Sequence, residues 1–466
     1  MPLLIQNGRI ITATDDYSAD VYCQGETISR IEPTIDPRTL PGSAGALEVV
    51  DARGKYVFPG FIDPHVHIYL PFMGTYAADD YESASKAALA GGTTTLIEMI
   101  CPGPTDEPWQ AFETWRDKAR DLAAVDYSFH MSVVRFDQRV REQFRRIVAS
   151  GVASFKVFLA YKGALNLSDE ELYAAMSLAK ELGVIVTAHC ENADAIDALQ
   201  RTLLADGKTG PEWHGPSRPP VVEADGVHHL CTFAQLIGTH VYTVHTSCEE
   251  AVRTALAARY RGVDVWIEAV APHLVLDDSY AERPDFEGAK YVMSPPLRPK
   301  ANQAALWNGV KSRAISTIAT DHAPFSFRGQ KDMGRAAFTA IPNGIPTLQE
   351  RVDLVHTCGV LTGRLDLKTM VDAGSTQAAR LFGLYPRKGT IQVGSDADLV
   401  VYDPDYRGTF SAKTSYSQVD YNAYEGWERK GRASLVTVRG EVQVRDGEFV
   451  GTIGRGRFLE REPTHG

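Results

Sequence analysis

Tyr56-Val57-Phe58-Pro59-Gly60-Phe61-Ile62 is an apolar run, and Asp63-Pro64-His65-Val66-His67 follows it directly. The run reads as a buried β-strand that ends in two histidines. On extended backbone, side chains alternate from face to face, so His65 and His67 point the same way. Two imidazoles at that spacing can grip one metal ion. Seven more apolar runs follow, over residues 93–98, 127–133, 154–159, 184–189, 241–245, 263–268 and 315–321. Near-continuous apolar runs suit parallel strands buried on both faces. Helical stretches separate most of them. One begins at Asp169, where Ser168 and Glu171 have the spacing of a capping box. Repeated strand–helix alternation predicts an α/β fold, a (β/α)8 TIM-like barrel, rather than an open doubly wound sheet.

Such a barrel carries its chemistry at the C-terminal ends of its strands. His65 and His67 end the first run, and Lys156, His189, His245 and Asp321 are read at the ends of the fourth, fifth, sixth and eighth. A lone histidine ending a strand is usually structural, but the joint pattern is far more specific. His130 lies in mid-run, and His214, His228, His229, His240, His356 and His465 lack the strand-end position. These seven read as core, helix or surface histidines.

Imidazole and carboxylate suit borderline divalent ions such as zinc, with manganese, cobalt or nickel as further options. Lys156 does not fit at first sight, because an ammonium beside metal ions is repelled. Burial lowers a lysine pKa, and the neutral amine can then take up carbon dioxide to form an anionic carbamate able to bridge two metals. The plainer reading keeps Lys156 as a cation near a single metal or in a core ion pair. Spacing alone leaves the two readings level.

Both termini read as β-structure. Residues 1–54 contain strand-like runs at 3–11 and 20–23, with Asn-Gly and Gln-Gly turns between and after them, and residues 386–466 contain similar runs at 397–402 and 433–440. We expect a small β-sandwich domain formed from both chain termini, with the catalytic barrel inserted over residues 55–385. Two separate β flaps are the alternative.

The chain has 466 residues and a net charge of −11, with no basic tract, which argues against nucleic acid or an anionic membrane as partner. No apolar run is long enough to span a bilayer, and the N-terminus lacks the pattern of a signal peptide. The six cysteines show neither zinc-type nor disulfide-framework spacing and read as free thiols. A cytoplasmic location is expected from this usage. No glycine fingerprint for a dinucleotide or nucleoside triphosphate is present.

Five segments resemble the cyclic amidohydrolases, most closely the dihydropyrimidinase/hydantoinase branch of the amidohydrolase superfamily. They are Asp63-Pro64-His65-Val66-His67, Ser154-Phe155-Lys156-Val157-Phe158-Leu159-Ala160-Tyr161-Lys162, His189-Cys190-Glu191-Asn192, Val244-His245-Thr246-Ser247-Cys248 and Ala319-Thr320-Asp321-His322-Ala323-Pro324-Phe325. The resemblance spans nearly the whole chain, with Leu70-Pro71-Phe72, Ser294-Pro295-Pro296 and Pro342-Asn343-Gly344 adding to it. It implies two zinc ions bridged by Lys156 as N6-carboxylysine, which consumes carbon dioxide. His65, His67 and Asp321 would hold the more buried ion, and His189 and His245 the more exposed one. The implied reaction opens the cyclic amide bond of dihydropyrimidines or 5-substituted hydantoins, giving N-carbamoyl amino acids. The partner is then a small cyclic ureide, and a homotetramer is the implied assembly.

Asp321 would act as proton carrier, and Tyr161 would stabilise charge on the carbonyl oxygen. Backbone groups at Ser294 and Asn343 would read the ring's amide edge. Leu70, Phe72 and Phe158 would face the ring substituent, or else belong to ordinary core. Cys190, Ala193 and Ala323 depart from the usual family pattern without removing a ligand. Tyr69 stands where related dihydroorotases carry an arginine for a carboxylate. That argues against dihydroorotate and, more weakly, against an allantoinase-like ring opening of another cyclic ureide. A phosphoester or lactone hydrolase is a further alternative. A non-enzymatic scaffold protein of the same family is disfavoured, because all six ligand positions are present.

Overall fold

The computed structural model of the chain describes residues 2–41 and 47–464. His465 lies outside the described residues. Eight parallel strands form the central sheet: β1 (Phe61–Val66), β2 (Thr93–Ile100), β3 (Asp126–Ser132), β4 (Ser154–Phe158), β5 (Ile185–His189), β6 (Val241–Thr243), β7 (Val265–Val270) and β8 (Thr317–Ala319). They hydrogen-bond in chain order. A parallel bridge between Val66 and His322 brings the last strand's exit back to the first. Thr320 Oγ1 donates to Asp63 Oδ2 at 2.7 Å across the same seam. The result is the expected (β/α)8 barrel. Nearly every strand residue is buried, as runs apolar on both faces require. The helix Asp169–Leu182 starts on the capping box read from Ser168 and Glu171, with both reciprocal hydrogen bonds formed.

The first apolar run differs from its expected form. It is divided between two sheets. Tyr56–Pro59 pairs with Leu3–Ile11 and Leu399–Thr409 in the sheet built from the termini, whereas Phe61 onward enters the barrel. The change falls at Gly60, where an added Cβ would collide with the Thr94 side chain. Only glycine lets the two sheets approach there. Asn7-Gly8 also behaves differently from a turn. The strand Leu3–Ile11 runs straight through it with a shift of register, and Asn7 takes φ 61°. The residue pair is a bulge, because strand pairing on both flanks outweighs the local turn preference. Gln24-Gly25 does make the expected turn between Asp16–Gln24 and Thr27–Glu32.

The two termini join in one mixed nine-stranded sheet. Leu399 pairs with Pro59 and Tyr402 with Tyr56, antiparallel. Leu3, Ile5, Val21, Val57, Leu399, Val401 and Leu435 share one buried apolar cluster, so the two halves are a single unit rather than separate flaps. Below the barrel, Lys388 pairs with Asp126 at 2.6 Å and Asp398 at 2.7 Å, tying the C-terminal part to the start of β3.

Candidate active site

His65 lies within β1 and His67 one residue past its end, where its N–H donates to the His322 carbonyl at 2.8 Å. Lys156 lies inside β4, and His189 closes β5. His245 and Asp321 each sit two residues beyond their short strands. Both adopt positive φ, 39° and 51°, and Tyr161 just past β4 does so at 65°. Left-handed backbone is uncommon for non-glycine residues and costs energy, so it persists only where surrounding contacts impose it. Here three such residues line one mouth.

All six residues are at most 7% exposed, so the cluster is shielded from bulk water. His65 Nε2 and His67 Nε2 lie 3.2 and 3.1 Å from Asp321 Oδ1. These three residues offer donor atoms within 4.8 Å of one another, close enough to hold a metal ion. The His245 ring centroid lies 5.2 Å from His65 and 4.5 Å from His189. The Lys156 nitrogen lies 5.1 Å from the Phe158 ring centroid and pairs with no described carboxylate.

Burial pulls the Lys156 ammonium down to about 8, against the opposing pull of Asp321 and Glu268. Burial also brings His67 down to about 4. For His65 burial acts in the same direction, but Glu268 and Asp321 outweigh it and raise the ring to about 9. Asp321 is pushed up by burial and pulled down further by His65, so its carboxyl stays well below the usual range.

Buried carboxylates behind the mouth set the ring orientations. Glu268, on β7, accepts from His65 Nδ1, the His245 N–H and the Tyr242 hydroxyl, each at 2.7 Å. Nε2 of His65 is thereby turned into the mouth. Glu191 receives His189 Nε2 at 2.7 Å and Arg218 at 2.5 Å. The Arg218 guanidinium also lies 5.4 Å over the Tyr161 ring. On β2, Glu98 accepts from the Ile68 N–H at 2.8 Å and Trp115 Nε1 at 3.1 Å, fixing the loop after His67.

Glu98, Glu191, Arg218 and Glu268 carry no role in the sequence-based expectations above. Glu98 and Glu268 had a readable signal: each is a carboxylate closing an apolar run that supplies no candidate ligand. For Arg218 no local signal exists. His214, read as an ordinary histidine, donates to the Met293 carbonyl at 2.8 Å and sits 3.2 Å from Ser294 Oγ.

One pocket at the mouth is lined by His67, Leu70, Phe72, Phe158, Tyr161, Ser294, Asp321 and Asn343, among others. This pocket brings two of the expected metal ligands, His67 and Asp321, together with the six residues expected to meet the substrate. The Tyr161 ring packs edge-on to Phe72 at 5.4 Å and lies 5.2 Å from His189. Burial raises its hydroxyl to about 12, opposed by Arg218. Asn343 Nδ2 donates to Ser294 Oγ at 2.8 Å. The enclosed space is about 40 Å³. A second cleft of about 330 Å³ shares Phe72, Tyr161 and Asn343 with it.

A parallel barrel with imidazoles, a carboxylate and a buried lysine at its C-terminal mouth defines a class, the barrel proteins equipped to bind metal where their chemistry is done. The chain belongs to the amidohydrolase family, whose sequence model matches residues 56–443. It is 45% identical over 462 residues to a D-hydantoinase of Geobacillus stearothermophilus, covering 99% of this chain and 97% of that one. It is 38% identical over 467 residues to a dihydropyrimidinase of Rattus norvegicus, covering 99% and 89%. A solved D-hydantoinase (dihydropyrimidinase) from Thermus sp. superposes with a TM-score of 0.96 at 57% identity, over 99% of each chain.

Proposed function

We propose that this chain is a binuclear metal-dependent cyclic amidase of the dihydropyrimidinase/hydantoinase type. It hydrolyses the cyclic amide bond of dihydropyrimidines and 5-substituted hydantoins to N-carbamoyl amino acids. The carrying observation is the convergence of His65, His67, Lys156, His189, His245 and Asp321 on one buried mouth, in a chain similar end to end to enzymes of those names.

The donor set fits the metals. His65 Nε2 and His245 Nδ1 are buried and have no hydrogen-bond partner among the described residues, which is costly unless something binds there. His65, His67 and Asp321 would hold one ion, His189 and His245 the other, and carboxylated Lys156 would bridge them. Zinc is the ion this donor set suits best. Bound divalent ions supply Lewis acidity and lower the pKa of water towards ~7.

The chain's own residues do the rest. Asp321 takes the proton of the attacking water and returns it to the leaving ring nitrogen, so water adds across the carbon–nitrogen bond. The Tyr161 hydroxyl donates to the carbonyl oxygen as it gains charge. Backbone groups at Ser294 and Asn343 read the amide edge, and Leu70, Phe72 and Phe158 face the ring substituent. A homotetramer is the assembly the family resemblance supports, and six free cysteines are in keeping with a reducing, cytoplasmic location.

Steady-state rates of the metal-loaded protein on dihydrouracil, methylhydantoin and phenylhydantoin test the reading, which is wrong if none is opened. Tyr161→Phe should lower turnover by ~10²–10³ while leaving substrate binding nearly intact, since one oxyanion donor is removed. An unchanged rate would make Tyr161 a packing residue. Leu70→Ala and Phe72→Ala should shift the ratio of rates between the two hydantoins by ~1–3 kcal/mol per methylene at most, with metal content unchanged. Equal ratios in both variants would place these side chains outside the substituent pocket.

A further inference from the structure

Lys331 is fully buried and, among the described residues, pairs with no carboxylate. Its nitrogen donates to two backbone carbonyls, Val292 at 3.0 Å and Pro342 at 2.9 Å. Val292 lies two residues before Ser294, and Pro342 one residue before Asn343. The Val292 carbonyl also accepts the Gly344 N–H at 2.9 Å, so the two loops are cross-linked twice at one point. Gly344 lies so close to the Ala323 carbonyl that a Cβ would collide with it, so the loop runs past that strand end only with glycine there. From above, Asn343 Nδ2 reaches Ser294 Oγ and His214 holds the Met293 carbonyl.

A buried amine is an expensive way to fill space. Desolvation brings the Lys331 ammonium down to about 7. An apolar side chain would fill the volume at less cost but would leave two buried carbonyls without this donor. The amine has enough N–H groups to serve both carbonyls in either protonation state. It touches none of the proposed metal ligands, and the mechanism above gives it no part.

We infer that Lys331 is a positioning residue for substrate recognition: it staples the 292–294 and 342–344 loops at the separation that lets their backbone groups read both ends of one cyclic amide edge. This rests on the proposed roles of Ser294 and Asn343. A reader made from two loops works only if their spacing is held, because a displacement near 1 Å can cost ~10²-fold. Its selectivity comes from buried groups left unpaired by a wrong ligand, and loops free to separate lose that penalty.

The test compares wild type with Lys331→Met, which keeps the side chain's length and removes its donors. Each protein is metal-loaded, and KM and kcat are measured on dihydrouracil and on its analogue methylated at the edge nitrogen. The expected result is unchanged metal content, a KM for dihydrouracil raised about tenfold or more, and discrimination against the methylated analogue reduced by a similar factor. A role in stability alone would lower the melting temperature and leave both numbers in place, and that result would overturn the inference. If Lys331→Met does not fold, Lys331→Gln keeps a donor for one of the two carbonyls and is judged by the same two numbers. Failure of the underlying reading looks different, because wild type itself would then open no ring.

Discussion

Lys156→Ala is expected to lose both bound metal and turnover, down to the background rate. The reason lies in the burial of a lone amine. Lys156 is 1% exposed, its nitrogen lies 5.1 Å from the Phe158 ring centroid, and no described carboxylate forms an ion pair with it. With its pKa lowered to about 8 by burial, far more of the side chain is neutral amine at neutral pH than for an ordinary lysine. Neutral amine is the form that takes up carbon dioxide. The carbamate so formed replaces an unpaired cation with an anion that two metal-binding halves can share. Alanine removes that anion and leaves four imidazoles and one carboxylate to offset two divalent ions. Metal analysis of the purified variant, alongside turnover on dihydrouracil, checks the result. Acetate or propionate, small enough to enter the vacated space, should restore part of both. Full metal content and normal turnover in Lys156→Ala would rule out the bridging role.

Asp321→Asn should keep much of its metal and lose turnover by ~10²–10⁴, the range for a general acid–base group. The amide preserves the size of the side chain and one oxygen facing His65 and His67, but it cannot accept a proton near neutral pH. Asp321 is well placed for the task. His65 and His67 converge on its Oδ1, and the positive φ of 51° turns it into the mouth instead of along the strand. Its folded pKa is depressed, so it is ionised at any pH above the usual carboxylate range. Metal content and turnover must be measured on the same preparation. Near-normal turnover at full metal content would leave Asp321 a ligand only.

The barrel was legible because its signal is local and repeated. Eight apolar runs ended where strands end, to within a few residues, and helical patterns separated most of them. The metal-site candidates were legible for the same reason: a barrel gathers the ends of its strands, so residues far apart in sequence but alike in strand position converge. Misreadings occurred where a local pattern served a non-local purpose. The run at 56–62 is uniformly apolar, yet Gly60 divides it between two sheets, and apolarity cannot say which neighbour a strand will pair with. Asn7-Gly8 has the composition of a turn and lies inside a strand, because pairing with Asp16–Gln24 and Glu48–Asp51 holds the chain extended on both sides.

What the amino-acid order determined by itself is therefore the barrel, the strand-end positions of the histidines and Asp321, and, through resemblance, the class of chemistry. Period-two alternation and strand–helix rhythm are properties of neighbouring residues, and they can be read without knowing the fold. Only the tertiary structure decided how these groups are aimed. Glu268 orients His65 across the barrel, Glu191 and Arg218 link His189 to Tyr161, and Lys331 joins two loops some fifty residues apart in sequence. Each of these contacts depends on distances between elements that close packing sets. A hydrogen bond fails within about an ångström, whereas a sequence pattern fixes position along the chain alone.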